Sequence, residues 1–454
     1  MAESSNLSFL HVMKSLRSLA LSLVLGLPLL AQEPAPPAPG LSLEEAIHRV
    51  LARYPSLDAA QNAIEAARGQ VMQANASRLP QVTADGAYQY TSLRPYIDFA
   101  LPGSPPSAFY TSIQNSYNAT VTARQLLTDF GRTEALVAMA RSGAISAQDA
   151  LEQVKNQLGY ETIQAFYGVI LLRASDDVAA EEIRALEEAL RISERKFNGG
   201  TATKFDLLTT QVRLANARNR RTDTESALAK QESLLRRLLG QPAGEPVTVI
   251  GAFDTSTALP DLSTTLAEGL QNRPEMKLAH DSEHTAELSL TAADRENRPV
   301  LAAQATGGLQ DGDLPGLYNN RGYVAAGVSV SVPLFTGRRI TGERITARAD
   351  YRSAQDRVSE LDRRITSDIE DAFSDLKAAQ AKLANADLLV AQAQEALSLA
   401  KSRYTNGVIT NFELLDAQSN ARAAEQTRLQ ARYDWVLAGQ EIAQAAGRAP
   451  SATP

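Results

Sequence analysis

The chain has 454 residues, a formal charge of −7 and 44% hydrophobic content, with Ala and Leu abundant and aromatics scarce. That composition belongs to a folded, helix-rich chain rather than a disordered one, and with no block of positive charge it excludes nucleic acid as a partner. There is no cysteine, which excludes disulfides, thiolate metal sites, cysteine nucleophiles and lipid attachment to an N-terminal cysteine, so any membrane anchorage must come from the fold.

Residues 1–31 read as an export signal. Lys14 and Arg17 form a basic n-region, Leu19 to Leu30 an apolar core of 12 residues, and Ala31 the cleavage residue; the core is far short of the roughly 20 residues of a membrane-spanning helix. Met13 offers an alternative start just before the basic residues. Residues 32–40, with Pro34, Pro36, Pro37 and Pro39, form a stiff linker. Beyond it no segment reads as a spanning helix, so an exported chain of this kind is either soluble or a β-barrel.

The rest is a tandem repeat. Pro55 and Pro80 recur as Pro274 and Pro299, an offset of 219 shared by Leu43 with Leu262 and by Leu51 with Leu270. Further on the offset is 207: Phe197-Asn198-Gly199-Gly200 falls on Tyr404-Thr405-Asn406-Gly407, and Phe205-Asp206-Leu207-Leu208 on Phe412-Glu413-Leu414-Leu415. One insertion, in the Pro- and Tyr-rich stretch 94–110, accounts for the change. Repeat 1 spans 41–240, a connector 241–261 follows with three prolines and two glycines, repeat 2 spans 262–447, and 448–454 is a tail.

Each repeat predicts helix, strand, loop, strand, very long helix, turn, helix. The strands fall at about 81–92, 115–126, 300–310 and 322–333. In the first, Val82, Ala84, Gly86, Tyr88 and Tyr90 share one face and Gln81, Thr83, Asp85, Gln89 and Thr91 the other; the other three alternate likewise. Such alternation fits a lipid-facing, water-lined barrel and equally a soluble antiparallel sheet with one wet face. A membrane barrel needs at least about 8 strands, and open edges are not tolerated in lipid. Four strands per chain therefore require several copies to share one barrel. In the second long helix Ile365, Ile369, Ala372, Leu376, Ala379, Leu383, Ala386, Val390, Ala393, Leu397, Ala400 and Tyr404 are spaced alternately by four and three. This is the heptad seam of a left-handed coiled coil. The corresponding seam in the first repeat is less clean. A helix from Arg338 to Tyr404 is roughly 100 Å long at about 1.5 Å per residue, too long to wrap a compact core. Gly407 then reverses the chain, and Thr410 or Asn411 caps the returning helix.

These features together resemble the outer-membrane efflux protein family, the TolC-like channel-tunnels, over residues 41–447. The segments Leu126-Leu127-Thr128-Asp129-Phe130-Gly131-Arg132 and Pro333-Leu334-Phe335-Thr336-Gly337-Arg338 resemble that family's strand-to-helix hinges, with Gly131, Pro333 and Gly337 at the bends. Arg403-Tyr404-Thr405-Asn406-Gly407 followed by Leu414-Leu415-Asp416-Ala417 resembles its periplasmic tip. The resemblance implies a mostly α fold with a small β part. Each protomer of a homotrimer would give four strands to a 12-stranded barrel in outer-membrane lipid, continued by a long helical barrel into the periplasm. It implies the passive exit duct of a tripartite efflux pump or type I secretion system, served by a periplasmic adaptor protein and an inner-membrane pump, with no cofactor and no bond made or broken.

The resemblance also assigns residues. Glu413 and Asp416, three apart on one helical face, match the acidic positions that constrict the family's inner aperture; three copies would place six carboxylates around one axis, favouring cations. Read from the residues alone, the same pair is equally an acidic first turn at a helix N-terminus. Ile409 stands where some relatives carry a basic residue that holds the entrance shut, so no latch is expected there. Asn198, Gly199, Gly200, Asn406, Gly407 and Val408 form the two tips, serving the turns and, by resemblance, contacting the adaptor. Tyr88, Tyr90, Tyr96, Phe99, Phe109, Tyr110, Tyr117 and Tyr323 suit an interfacial aromatic belt or aromatic packing in a soluble sheet. Two other readings remain in view. An exported soluble coiled-coil scaffold or adaptor would keep the heptads and make the strands a small sheet. A zinc enzyme would use His280 and His284, at i and i+4, but His11 and His48 are the only others and repeat 2 offers no third histidine; a solvated helical face fits better.

Overall fold

The computed structural model describes residues 40–451 apart from 100, 101, 106, 111–113, 255–258 and 311–320; the expected signal, most of the linker and the end of the tail lie outside the described residues. From Leu41 the chain is one compact unit. It opens with α1 (Leu43–Arg53), whose N-cap Ser42 accepts from the Glu45 N–H at 3.3 Å. α2 (Pro55–Ala76) begins on Pro55, at a position whose N–H has no helical partner anyway. Then come β1 (Gln81–Tyr90), a short hairpin of β2 (Tyr96–Phe99) and β3 (Ser107–Tyr110), β4 (Asn115–Thr128), α3 (Arg132–Asn198) and α4 (Lys204–Leu239). The second set is α5 (Leu262–Asn272), α6 (Pro274–Asp294), β5 (Val300–Gln310), β6 (Arg321–Ser331), α7 (Arg339–Thr405) and α8 (Asn411–Ala445). Adding 219 to the bounds of α1 gives those of α5, and adding 207 to those of α3 gives those of α7. The hairpin β2–β3 occupies the extra loop of the first set, and the sequence pattern gave no sign of it; four residues per strand is too short a run to show a period. β6 stops at Ser331, two residues short of Pro333, which has no N–H to offer a ladder.

Four strands form one antiparallel sheet in the order β1-β4-β5-β6, and β2–β3 pairs separately. The register carries the alternation across the sheet. Val82, Ala123, Ala305 and Ala326 are successive partners on one line, and Thr83, Thr122, Thr306 and Ala325 on the next. Every apolar stripe therefore lies on one face, where Val82 and Val328 are each 65% exposed and Val324 86%. Tyr88, Tyr90 and Tyr117 join that face through the same register, whereas Tyr323 pairs Gly308 on the other. The side chains of Phe99 and Phe109 lie outside the described residues. The opposite face is hydrogen-bonded side chain to side chain, with Thr122 to Thr306 at 3.2 Å and Arg124 to Gln304 at 3.1 Å. β1 and β6 are the two edges and pair on one side only.

The core lies among the helices, around Phe166, Ile163, Leu235, Leu238, Ile365, Ile369, Leu376 and Trp435, with Leu41 and Val247 packed into it from outside the helices. α3 and α7, 67 residues each, are about 100 Å long at about 1.5 Å per residue. On α7 every seam position from Ile365 to Tyr404 is buried or half-buried while its neighbours are largely exposed. α3 contacts α1, α2, α4, α6 and α8, so it buries more than one stripe; among the described residues α7 packs mainly on α5, α6 and α8. That difference explains why the seam is cleaner in the second long helix. α4 and α7 flank the α3–α8 pair, and their Leu208, Val212, Leu388, Leu389 and Leu399 are left exposed by the described residues.

Candidate functional site at the helical tips

The two ends of α3 and α7 stop in the same way. The Gly199 N–H donates to the Arg195 carbonyl at 3.0 Å and Gly200 takes φ +70°; the Asn406 N–H donates to the Ser402 carbonyl at 3.2 Å and Gly407 takes φ +73°. A left-handed residue just past a helix closes its last turn at little cost only when it is glycine. The six expected tip residues, Asn198, Gly199, Gly200, Asn406, Gly407 and Val408, are all exposed, Val408 at 71%.

The returning helices start with matched capping boxes. Thr203 N–H donates to Asp206 Oδ2 at 3.1 Å and Asp206 N–H to Thr203 Oγ1 at 3.2 Å. Thr410 N–H donates to Glu413 Oε2 at 2.8 Å and Glu413 N–H to Thr410 Oγ1 at 3.3 Å. Each box satisfies two backbone donors that a helix start leaves free. Glu413 is thus engaged at its own helix start within the protomer. Asp416 has no such duty. It accepts from Asn420 Nδ2 at 3.1 Å and opens onto a cleft of about 270 Å³ that Arg213, Arg220, Lys401 and Arg422 also line. The tips touch each other: Asn411 Nδ2 donates to Thr210 Oγ1 at 3.2 Å, the Arg213 guanidinium lies 5.4 Å from the Phe412 ring centre, and Lys196 Nζ lies 4.0 Å from that of Tyr404. Ile409 is half-buried.

At the other end of the long helices the bends are tight. Phe130 (φ +55°) and Gly131 (φ +93°) precede α3, and Gly337 (φ +59°) and Arg338 (φ +67°) precede α7. Asp129, 8% exposed, accepts from the Gly131 N–H at 3.2 Å and from the Thr133 N–H at 2.7 Å. Arg295 Nη1 donates to the Gly131 carbonyl at 2.7 Å. Glu296 bridges the two repeats, contacting Arg132 at the start of α3 at 2.5 Å and Arg339 at the start of α7 at 3.3 Å. Sequence reasoning missed Arg295 and Glu296. They match Ala76 and Ser77 in the first repeat, so comparing repeats could not mark them; the only signal was the run Arg295-Glu296-Asn297-Arg298 just before β5.

His280 and His284 are each 59% exposed and face Glu283 and Glu287 at 3.5 and 3.4 Å. Among the described residues no three His, Cys, Asp or Glu side chains converge on a metal position.

A short sheet with one uncovered apolar face, continued by helices about 100 Å long, defines an outer-membrane channel with a periplasmic extension. The sequence profile of the outer membrane efflux protein family matches residues 46–241 and 265–448, and the chain belongs to that family: it is an outer-membrane exit duct, not an enzyme. Among its relatives, the alkaline protease secretion protein AprF of Pseudomonas aeruginosa is 24% identical over 415 residues, covering 88% of this chain and 82% of its own. The toluene efflux pump outer membrane protein TtgF of Pseudomonas putida is 26% identical over 355 residues, covering 76% and 72%. The crystal structure of the outer membrane protein VceC of Vibrio cholerae shares the fold with a TM-score of 0.75 at 19% identity, covering 90% of this chain and 97% of that one.

Proposed function

We propose that three copies of this chain close a 12-stranded barrel in the outer membrane and a helical tube beneath it, forming the passive exit duct of a tripartite efflux pump or a type I secretion system. The observation that carries this reading is the sheet: its apolar face is uncovered and both edges, β1 and β6, are open. An open edge in lipid leaves N–H and C=O groups unpaired at several kcal/mol each, so β6 of one copy must pair with β1 of the next. The two sets of elements, 41–240 and 262–447, then alternate around the tube, and the uncovered faces of α4 and α7 meet between copies. In this reading Asp416, with Glu413 behind it, constricts the inner aperture. Asn198, Gly199, Gly200, Asn406, Gly407 and Val408 meet a periplasmic adaptor, and Gly131, Pro333 and Gly337 turn the barrel into the tube. An inner-membrane pump supplies the work. A soluble scaffold would not leave so much Val and Tyr surface bare. Native mass spectrometry from detergent tests the assembly: particles of three chains are expected, and a monomer that stays dissolved without detergent would sink the proposal.

A further inference from the structure

Where the sheet meets the long helices, the described residues leave a further set of large apolar side chains exposed. Antiparallel pairing puts the start of β1, the end of β4, the start of β5 and the end of β6 at this one end. Just beyond them Leu334 is 93% and Phe335 88% exposed, and Leu79 and Phe130 are exposed too. Phe130 is held at φ +55°, a conformation that a bulky residue adopts only under strain. The matching position of the second repeat, Gly337, reaches φ +59° with no side chain to strain. An aromatic ring kept on such a turn and left in water gains nothing; covered by an apolar medium, it does. Phe130 and Tyr117 are 13 residues apart. At about 3.3 Å per residue and a tilt of about 35–45°, that is about 30–35 Å along a barrel axis. Outer-membrane barrels carry aromatic girdles on both sides of an apolar band about 25 Å tall, so the Phe130 ring lies where the periplasmic girdle falls.

The charge around these side chains is positive, in a chain whose net charge is −7. The hinge segments 77–80, 128–134, 294–299 and 333–344 hold seven arginines and five carboxylates. Glu296 pairs with Arg132 and Arg339, Glu343 with Arg339, and Asp294 with Arg344. Asp129 is buried in its turn and Glu134 is exposed. Arg78, Arg298 and Arg338 are exposed and form no ion pair among the described residues. Arg298 Nη1 reaches the Phe130 carbonyl at 3.4 Å, so charge and ring stand at one turn. Bare apolar side chains beside unpaired arginines match a phospholipid interface: acyl chains cover the rings, and phosphate oxygens accept from the guanidinium groups. A second copy of the chain matches less well. Pairing β6 with the next β1 would bring Arg78 up to Arg338, which adds like charge instead of neutralising it.

We propose that this hinge collar binds anionic phospholipid of the periplasmic leaflet, with Phe130, Leu334 and Phe335 among the upper acyl chains and Arg78, Arg298 and Arg338 on the headgroups. The inference rests on the reading of the sheet as a barrel wall. The test is tryptophan quenching in the full-length protein in nanodiscs, by phosphatidylcholine or phosphatidylglycerol brominated high on the acyl chains. Trp435, 3% exposed in the helical core, gives a constant background that wild type measures. Val324→Trp, on the apolar face of β6, reports the barrel wall; Phe130→Trp and Phe335→Trp report the collar. All three should be quenched. At Phe335→Trp the phosphatidylglycerol should bind about fivefold more tightly than the phosphatidylcholine, the effect of one arginine near a charged membrane surface, and at Val324→Trp the two should bind alike. Adding Arg78→Gln, Arg298→Gln and Arg338→Gln should remove the preference at Phe335→Trp and leave the quenching, which damage to the fold would not do. Quenching at Val324→Trp but at neither phenylalanine position would mean that a neighbouring copy or water covers the collar; it would overturn the proposal and leave the barrel standing. A preference that is absent, or that survives the arginine changes, would overturn it as well. No quenching at Val324→Trp would count against the barrel wall itself.

Discussion

Replacing Gly131 with alanine perturbs the start of α3 in two separable ways. The residue sits at φ +93°, where a side chain costs about 1–2 kcal/mol. A Cβ built there would also lie 2.5 Å from Arg295 Nη1. Arg295 is long enough to move aside, but moving breaks its 2.7 Å bond to the Gly131 carbonyl. Charge-assisted bonds contribute about 1.5–3 kcal/mol, and a half-exposed arginine belongs at or below the low end, about 1 kcal/mol. The total is about 2–3 kcal/mol. Gly337 is the control: it has φ +59° and nothing within 4 Å of a built Cβ, so Gly337→Ala should cost only about 1 kcal/mol. Thermal unfolding in detergent, followed by circular dichroism at 222 nm, should show Gly131→Ala falling two to three times as far. In the double-mutant cycle with Arg295→Ala, the excess of about 1 kcal/mol should disappear, because the bond that alanine displaces is already gone. Equal losses at the two glycines, or an additive cycle, would refute the account of the bend.

In the proposed duct, Glu413 and Asp416 have two separable roles on one helix. Asp416→Asn should lower the cation-to-anion permeability ratio in planar bilayers without moving the unfolding midpoint, whereas Glu413→Gln should change the ratio less, since its carboxylate is held by the Thr410 cap; an unchanged ratio in both would remove the carboxylates from the conduction path. At the C-terminus, the Tyr160 hydroxyl donates to the Arg448 carbonyl at 3.0 Å and a Cβ on Gly159 would collide with the Pro450 ring. Gly159→Ala should therefore destabilise by about 1–3 kcal/mol, the usual cost of overpacking, and removal of residues 449–454 should abolish that cost; a penalty that survives the truncation would place its origin elsewhere.

How far the sequence could be read depended on how many neighbours an element has. The α7 seam was legible residue by residue because a helix with few partners buries a single stripe, and one stripe is all that periodicity reports. α3, packed on five sides by other helices, buries Thr162, Ser142 and Ser175 as well as its apolar residues, which blurs the period. The strands were legible from alternation, but alternation does not say which medium covers the apolar face; membership of the outer membrane efflux protein family does. At the tip, the spacing of Thr410 and Glu413 is the sequence mark of a capping box, yet the same two positions also read as an aperture ring. Hydrogen bonds at 2.8 and 3.3 Å, which no pattern displays, are what tie Glu413 to its cap.

The repeat itself supplies a rule for where function sits in such a chain. Where the halves agree, as in the boxes of Thr203 with Asp206 and Thr410 with Glu413, three copies would present the same feature six times around the axis, and what recurs six times is the turn chemistry that any helical hairpin needs. Where the halves disagree, the feature would occur only three times. Asp416 falls opposite Thr209, and Glu296 opposite Ser77. The first opens on the cleft behind the tips, and the second joins the starts of the two long helices. In the proposed trimer a charge at Asp416 alone would stand three times around the axis, whereas the capping boxes would stand six times.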